Sequence, residues 1–166
     1  MSKLLYHGTC VEFDGNKIDL KASSRPKDFG NGFYLTSLYN QAKIWANRNK
    51  HFRKSRYGII KHYEYMDDSA DILKILTLDE YNKEWLVYIL NNRNNINIID
   101  DDYDLVIGLM ADGNIKDLIS DYISDYITED ELLEELQFKQ KNDHYTFKTE
   151  KSLEFLKFKK DFYIEE

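Results

Sequence analysis

Two short segments hold the residue types that could bind and transform a small molecule. They are Tyr6-His7-Gly8-Thr9 and, further along, Asp28-Phe29-Gly30-Asn31-Gly32-Phe33-Tyr34-Leu35-Thr36. His7 brings an imidazole that donates, accepts and changes charge near neutral pH. Glycines at 8, 30 and 32 let the backbone approach a ligand closely. Three familiar motifs fail on inspection. Asp28-Phe29-Gly30 spells a kinase magnesium triplet, but the chain has no glycine-rich loop before a strand lysine and no His-Arg-Asp loop. Gly30-Asn31-Gly32 lacks the third glycine of a dinucleotide fingerprint, since position 35 is leucine. His7 and Cys10 have a ligand-like spacing, yet His51, His62 and His144 are scattered and there is one cysteine, so no metal site is expected. Taken alone, His7 reads as a strand-end histidine and Tyr34 as one core tyrosine among 13.

The elements that must position these residues follow from periodicity and breakers. Residues 3–7 read as a strand entering a loop, and the Gly/Ser/Pro-rich stretch 23–32 leads into a second strand at 33–36. Ser37 is placed to cap a helix through about residue 51, with Leu38, Ala42, Trp45 and Ala46 as its apolar stripe. Strands are expected at 57–65 and 72–78, then a helix capped by Asp79 that carries Trp85, Leu86, Ile89 and Leu90, and a loop over 91–97. Residues 103–108 look like a buried strand, and 115–138 hold two acidic amphipathic helices parted at Thr128, which has capping-box spacing with Glu131. Strands at 143–147 and 158–164 flank a short helix capped by Thr149. Strands at both ends with helices gathered between them indicate an α+β fold.

At 166 residues the chain is expected to form a single domain spanning 1–166. One cysteine and an N-terminus without a signal-peptide pattern point to the cytoplasm. The longest apolar stretch, at 105–111, falls short of the ~20 residues that cross a bilayer, so no membrane partner is expected. The net charge of −7 is unevenly distributed: residues 43–61 contain Lys43, Arg48, Lys50, Arg53, Lys54, Arg56 and Lys61 and no acid, whereas 100–135 are crowded with carboxylates. Most of these charges read as solvated helix and loop faces. The basic strip is the feature that could seat a phosphate or an RNA, and the acidic half the one that could dock a basic partner.

Taken together, the Tyr6-His7-Gly8-Thr9 and Asp28-Phe29-Gly30-Asn31-Gly32-Phe33-Tyr34-Leu35-Thr36 motifs, with Gln41-Ala42, Trp45-Ala46, Glu84-Trp85-Leu86, Asn92-Arg93, residues 102–108 and residues 145–153, resemble a bacterial family of small uncharacterised proteins. Members of that family occur in toxin–antitoxin or defence settings and are similar to the ADP-ribosyltransferase fold of diphtheria toxin and the poly(ADP-ribose) polymerases. The resemblance covers most of the chain. It implies a split β-sheet core with peripheral helices and NAD as co-substrate. The partners it implies are a macromolecular acceptor, either protein or nucleic acid, and a cognate antitoxin.

By that resemblance, His7 and Gly8 grip the nicotinamide half of NAD and Tyr34 stacks on its ring, with Phe33 turned to the core. Gly8 suits this role because a carboxamide needs both a donor and an acceptor, which one stretch of backbone can supply. Thr9, Gly32 and Thr36 are expected to line the same pocket. Arg25 and Lys27, ahead of the basic residues after Arg48, are expected to neutralise the pyrophosphate. His144 stands where the enzymes carry a catalytic glutamate and where relatives tend toward glutamine. A neutral imidazole there can bond a ribose hydroxyl but lacks the charge that a developing cation prefers. Asp143 and Glu150 are the nearest substitute acids, although Glu150 is better explained as a first-turn helix charge. The alternative, which His144 itself supports, is a catalytically degenerate nucleotide-binding or protein-interaction module. Asp104 is read as structural.

Overall fold

The computed structural model describes residues 2–21, 28–94 and 102–165. Arg25 and Lys27 lie outside them. The described chain is an α+β arrangement of two sheets and five α-helices. The first sheet holds β1 (Ser2–Thr9), β3 (Gly58–Met66) and β7 (Leu156–Ile164), with β3 central and both pairings antiparallel. The second runs in the order β2 (Phe33–Leu35), β6 (Asp143–Phe147), β5 (Leu105–Leu109), β4 (Ile75–Leu78), with only β4 and β5 parallel.

The sheets meet at one rung. Tyr6 N–H donates to the Thr36 carbonyl at 2.8 Å and Thr36 N–H returns the bond to Tyr6 at 2.9 Å. Strand alternation explains what each side of this junction buries. Leu5, Tyr63 and Tyr65 of the first sheet pack with Phe33, Leu35, Leu105, Tyr145 and Phe147 of the second. The opposite face of the second sheet, with Tyr34 and Val106, packs against Phe29, Trp85, Ile89, Ile119, Leu132 and Leu136. These last residues include members of α2 (Lys83–Asn94), α3 (Asn114–Ile123) and α4 (Glu129–Leu136). The helix α1 (Tyr39–Arg53) covers the first sheet through Ala42 and Ala46 against Ile60.

Local signals fixed several boundaries. Thr128 and Glu131 form a reciprocal capping box on α4, and Thr149 and Ser152 form another on α5 (Glu150–Leu153), which leaves Glu150 in the first helical turn. Two expected caps are corrected. Ser37 does not cap α1, because its N–H and hydroxyl both donate to the Asp143 carboxylate, 106 residues away, and the helix starts after Leu38. Asp79 does not cap α2; the Asn82 side chain accepts from Trp85 N–H at 3.0 Å instead. The first part of the loop expected over 91–97 is helical instead, since α2 runs to Asn94, and 95–97 lie outside the described residues.

Asp104 is structural, as expected: it accepts from Lys74 N–H and the Thr149 hydroxyl, each at 2.8 Å, tying β4 to the start of α5. Lys61 is not part of a solvated basic face. It is fully buried, bonding the Phe13 carbonyl at 2.7 Å and Asp161 at 2.9 Å. No helix among the described residues is long and apolar enough to cross a membrane.

Candidate functional site

Where the two sheets part, a cavity of about 550 Å³ opens, within the size range of small-molecule sites. His7 and Gly8 from β1, Tyr34 from β2 and His144 from β6 reach one end of it. The residues that sequence reasoning paired across the chain therefore converge.

His7 lies one residue past the Tyr6–Thr36 rung, where the ladder cannot continue. Its Nδ1 sits 2.7 Å from the Tyr34 carbonyl, so the imidazole takes the place of the missing backbone partner. A carbonyl only accepts, which puts the proton on Nδ1 and, in the neutral ring, the lone pair on Nε2. The ring stacks on Phe33 at 4.3 Å, with Phe13 edge-on at 6.0 Å. Two contacts and one hydrogen bond thus fix its orientation.

Tyr34 is 8% exposed, so only a narrow part of its ring borders the cavity. Its hydroxyl donates to the Gly30 carbonyl at 2.6 Å and accepts from Phe29 N–H at 3.0 Å, which shapes the turn before β2. Burial pushes the phenol well above its ordinary range, so it stays protonated as the bond to Gly30 requires. Phe33 and Tyr34 do point to opposite faces, as alternation demands. His144 is enclosed by Trp45 at 5.0 Å, Tyr34 at 5.4 Å and Phe29 at 5.6 Å between ring centres.

Three expected site residues do other work, and Gly8 answers to a second constraint. Thr9 is buried and its hydroxyl accepts from Val11 N–H. Thr36 is fully buried and donates to Asp143. Gly32 is required by β6, because a Cβ there would lie 2.8 Å from the Phe147 carbonyl oxygen. Gly8 borders the cavity, but its lack of a side chain is dictated by α1: a Cβ would meet the Ala42 carbonyl oxygen at 2.1 Å. Of the substitute acids, Asp143 is engaged by Thr36 and Ser37 and does not line the cavity, nor does Glu150.

The other end of the cavity is charged. Trp45, Arg48 and Asn49 occupy one face of α1, joined by Arg93 from α2, the 111–112 link after β5, and Lys116 from the first turn of α3. Arg93 donates from Nε to Asp28 at 2.6 Å and from Nη2 to the Ala111 carbonyl at 2.9 Å. It thereby ties the segment before β2 to the link after β5. Asp112 accepts from Gly113 N–H at 2.9 Å, with Arg48 at 3.4 Å and Lys116 at 4.0 Å. Burial works to raise the Asp112 pKa, but Arg48, the Gly113 amide and Lys116 outweigh it and hold the carboxyl below its ordinary range. Arg93, Asp28, Asp112 and Lys116 were not predicted as site residues. Asp28 and residues 92–93 stood out only as parts of patterns, and nothing local in the sequence marks Asp112 and Lys116 as their neighbours. Among the described residues, no group of three His, Cys, Asp or Glu side chains is arranged to hold a metal.

The family described as Protein of unknown function (DUF3990) matches residues 3–158. The chain belongs to this family. The match to DUF3990 takes in both ends of the cavity, from β1 through the start of β7. No curated protein and no solved structure matches the chain.

Proposed function

We propose that this DUF3990 protein is an NAD-dependent ADP-ribosyltransferase that passes ADP-ribose to a macromolecular acceptor. The observation carrying this reading is the convergence of His7, Tyr34 and His144 on one cavity at the sheet junction, with His7 and Tyr34 joined at 2.7 Å. The parting of two sheets at a single rung, with the cavity at the split, supports an ADP-ribosyltransferase-like fold.

When bound, NAD supplies a glycosidic bond whose cleavage leaves its electron pair on the nicotinamide nitrogen and its ribose carbon open to an acceptor nucleophile, which then loses its proton. His7 is held with Nε2 as the accepting nitrogen, suited to a ribose hydroxyl. The exposed part of the Tyr34 ring offers an aromatic surface to a pyridine ring, a contact worth roughly 1 kcal/mol beyond its buried area. His144 borders the cavity with both ring nitrogens buried among Phe29, Tyr34 and Trp45, so bonding a second ribose hydroxyl requires its ring to turn toward the ligand.

A binding module without turnover is favoured by one observation: among the described residues, the carboxylates that border the cavity, Asp28 and Asp112, are each ion-paired. Nicotinamide release from NAD, measured for wild type and His7→Ala with calorimetry alongside, separates the readings. The transferase reading expects release that falls at least about 100-fold in the variant, in keeping with loss of a transition-state contact. NAD binding without release, with protein and RNA acceptors supplied, would establish the module. Equal release by both proteins would remove His7 from the site.

A further inference from the structure

We propose that the charged end of the cavity is a phosphate subsite, in which Arg48 and Lys116 hold the diphosphate of a dinucleotide and the Asp112 carboxylate stands in its place until the ligand enters. This rests on the nucleotide reading of the cavity and adds the residues that hold the anion and a built-in competitor for it.

Arg48 comes from α1 and Lys116 from α3, yet both are directed at Asp112 Oδ1, at 3.4 and 4.0 Å. The Gly113 amide donates to the same oxygen at 2.9 Å. Two cations from separate helices and one backbone N–H thus form a donor set around an internal carboxylate, as an anion site would. The start of α3 adds its positive end, since Gly113 caps it without any side-chain bond. Arg48 and Lys116 keep 55% and 56% of their side-chain surface exposed, so exchanging one anion for another requires little rearrangement.

Arg93 belongs to the frame of this subsite, because two of its donors are committed to Asp28 and Ala111. It fixes the link on which Asp112 sits. The aromatic end with Tyr34 borders the same cavity, which matches a ligand having a planar ring at one end and phosphates further along.

The test is calorimetry at low salt with NAD and, separately, inorganic pyrophosphate, on wild type, Arg48→Gln, Lys116→Gln and Asp112→Asn, each first shown to melt cooperatively. Neutralising either cation should weaken both probes by about fivefold to tenfold, the worth of one charge-assisted contact in a wet site. Asp112→Asn keeps an acceptor for the Gly113 amide and removes only the competing charge, so it should tighten pyrophosphate binding by about threefold or more. A purely structural Asp112 would not produce that gain. Unchanged affinity in the Gln variants, or weaker binding by Asp112→Asn, overturns the subsite, and if NAD still binds, the nucleotide reading survives. Pyrophosphate binding with the expected variant pattern but no NAD binding supports the subsite and removes the nucleotide reading. Binding of neither probe overturns both.

Discussion

The two ends of the cavity are built on different physical terms. The sheet-junction end is rigid and largely apolar: His7 is stacked and hydrogen-bonded, the Tyr34 hydroxyl is bonded to Gly30 and Phe29, and His144 is packed against the rings of Phe29, Tyr34 and Trp45. The mouth is held by charges from the segment before β2, α1, α2, α3 and the link after β5; Arg48 and Lys116 are about half exposed, whereas Asp112, Arg93 and Asp28 keep 26%, 22% and 14% of their side-chain surface. Rigid apolar walls favour orientation of a ring, whereas paired, half-solvated charges favour exchange of one anion for another. The mouth itself divides into a part-buried ion pair, Asp28–Arg93, and a more exposed one, Arg48–Asp112.

The largest expected effect tests that separation. Arg93 and Asp28 retain only 22% and 14% of their side-chain surface, so Arg93→Ala strands a part-buried carboxylate and should cost about 2–3 kcal/mol in urea unfolding, between the worth of an exposed and a fully buried pair. Arg48→Ala, at the exposed pair, should cost no more than about 1 kcal/mol. Equal costs would mean that the mouth is held together differently. At the other end, Gly8→Ala drives a methyl into the α1 backbone and should destabilise by about 1–3 kcal/mol. A neutral Gly8→Ala would show that β1 and α1 are not packed as described. Tyr34→Phe keeps the ring but leaves Phe29 N–H and the Gly30 carbonyl without this partner, an expected loss of about 1–2 kcal/mol with the ring surface for a ligand preserved.

The smallest effect is a pH slope outside both ends. His62, between Tyr6 and Tyr39, has its pKa lowered by burial and then by Lys160. The unfolded chain therefore takes up a proton before the folded one does. Stability is complete above an unfolded value of about 6.5 and is lost as pH falls from there through the lower folded value. Melting curves between pH 7.5 and 5 should show this decline for wild type and a flatter profile for His62→Gln. Parallel profiles would assign the decline to other groups.

What the sequence revealed divides along the same line. Caps at Thr128 and Thr149 were legible because both partners lie within four residues, and the His7–Tyr34 pairing was legible because each sits in a compact motif. Ser37 was misread because a carboxylate from β6 captures it, and Thr36 was misread because sharing a strand face with Tyr34 does not decide which neighbour it meets. Gly8 and Gly32 were recognised as close approaches, but the approaching group is protein backbone. The charged mouth was not legible. Arg48, Arg93, Asp112 and Lys116 come together only through the strand order β2-β6-β5-β4 and the helices packed on it, which no local spacing encodes.

The most direct measurement is a crystal structure of the protein with NAD. The account predicts the pyridine ring against Tyr34, a ribose hydroxyl within hydrogen-bond distance of His7, and the diphosphate displacing Asp112 from Arg48. NAD bound elsewhere, or its ring placed away from both His7 and Tyr34, would contradict it.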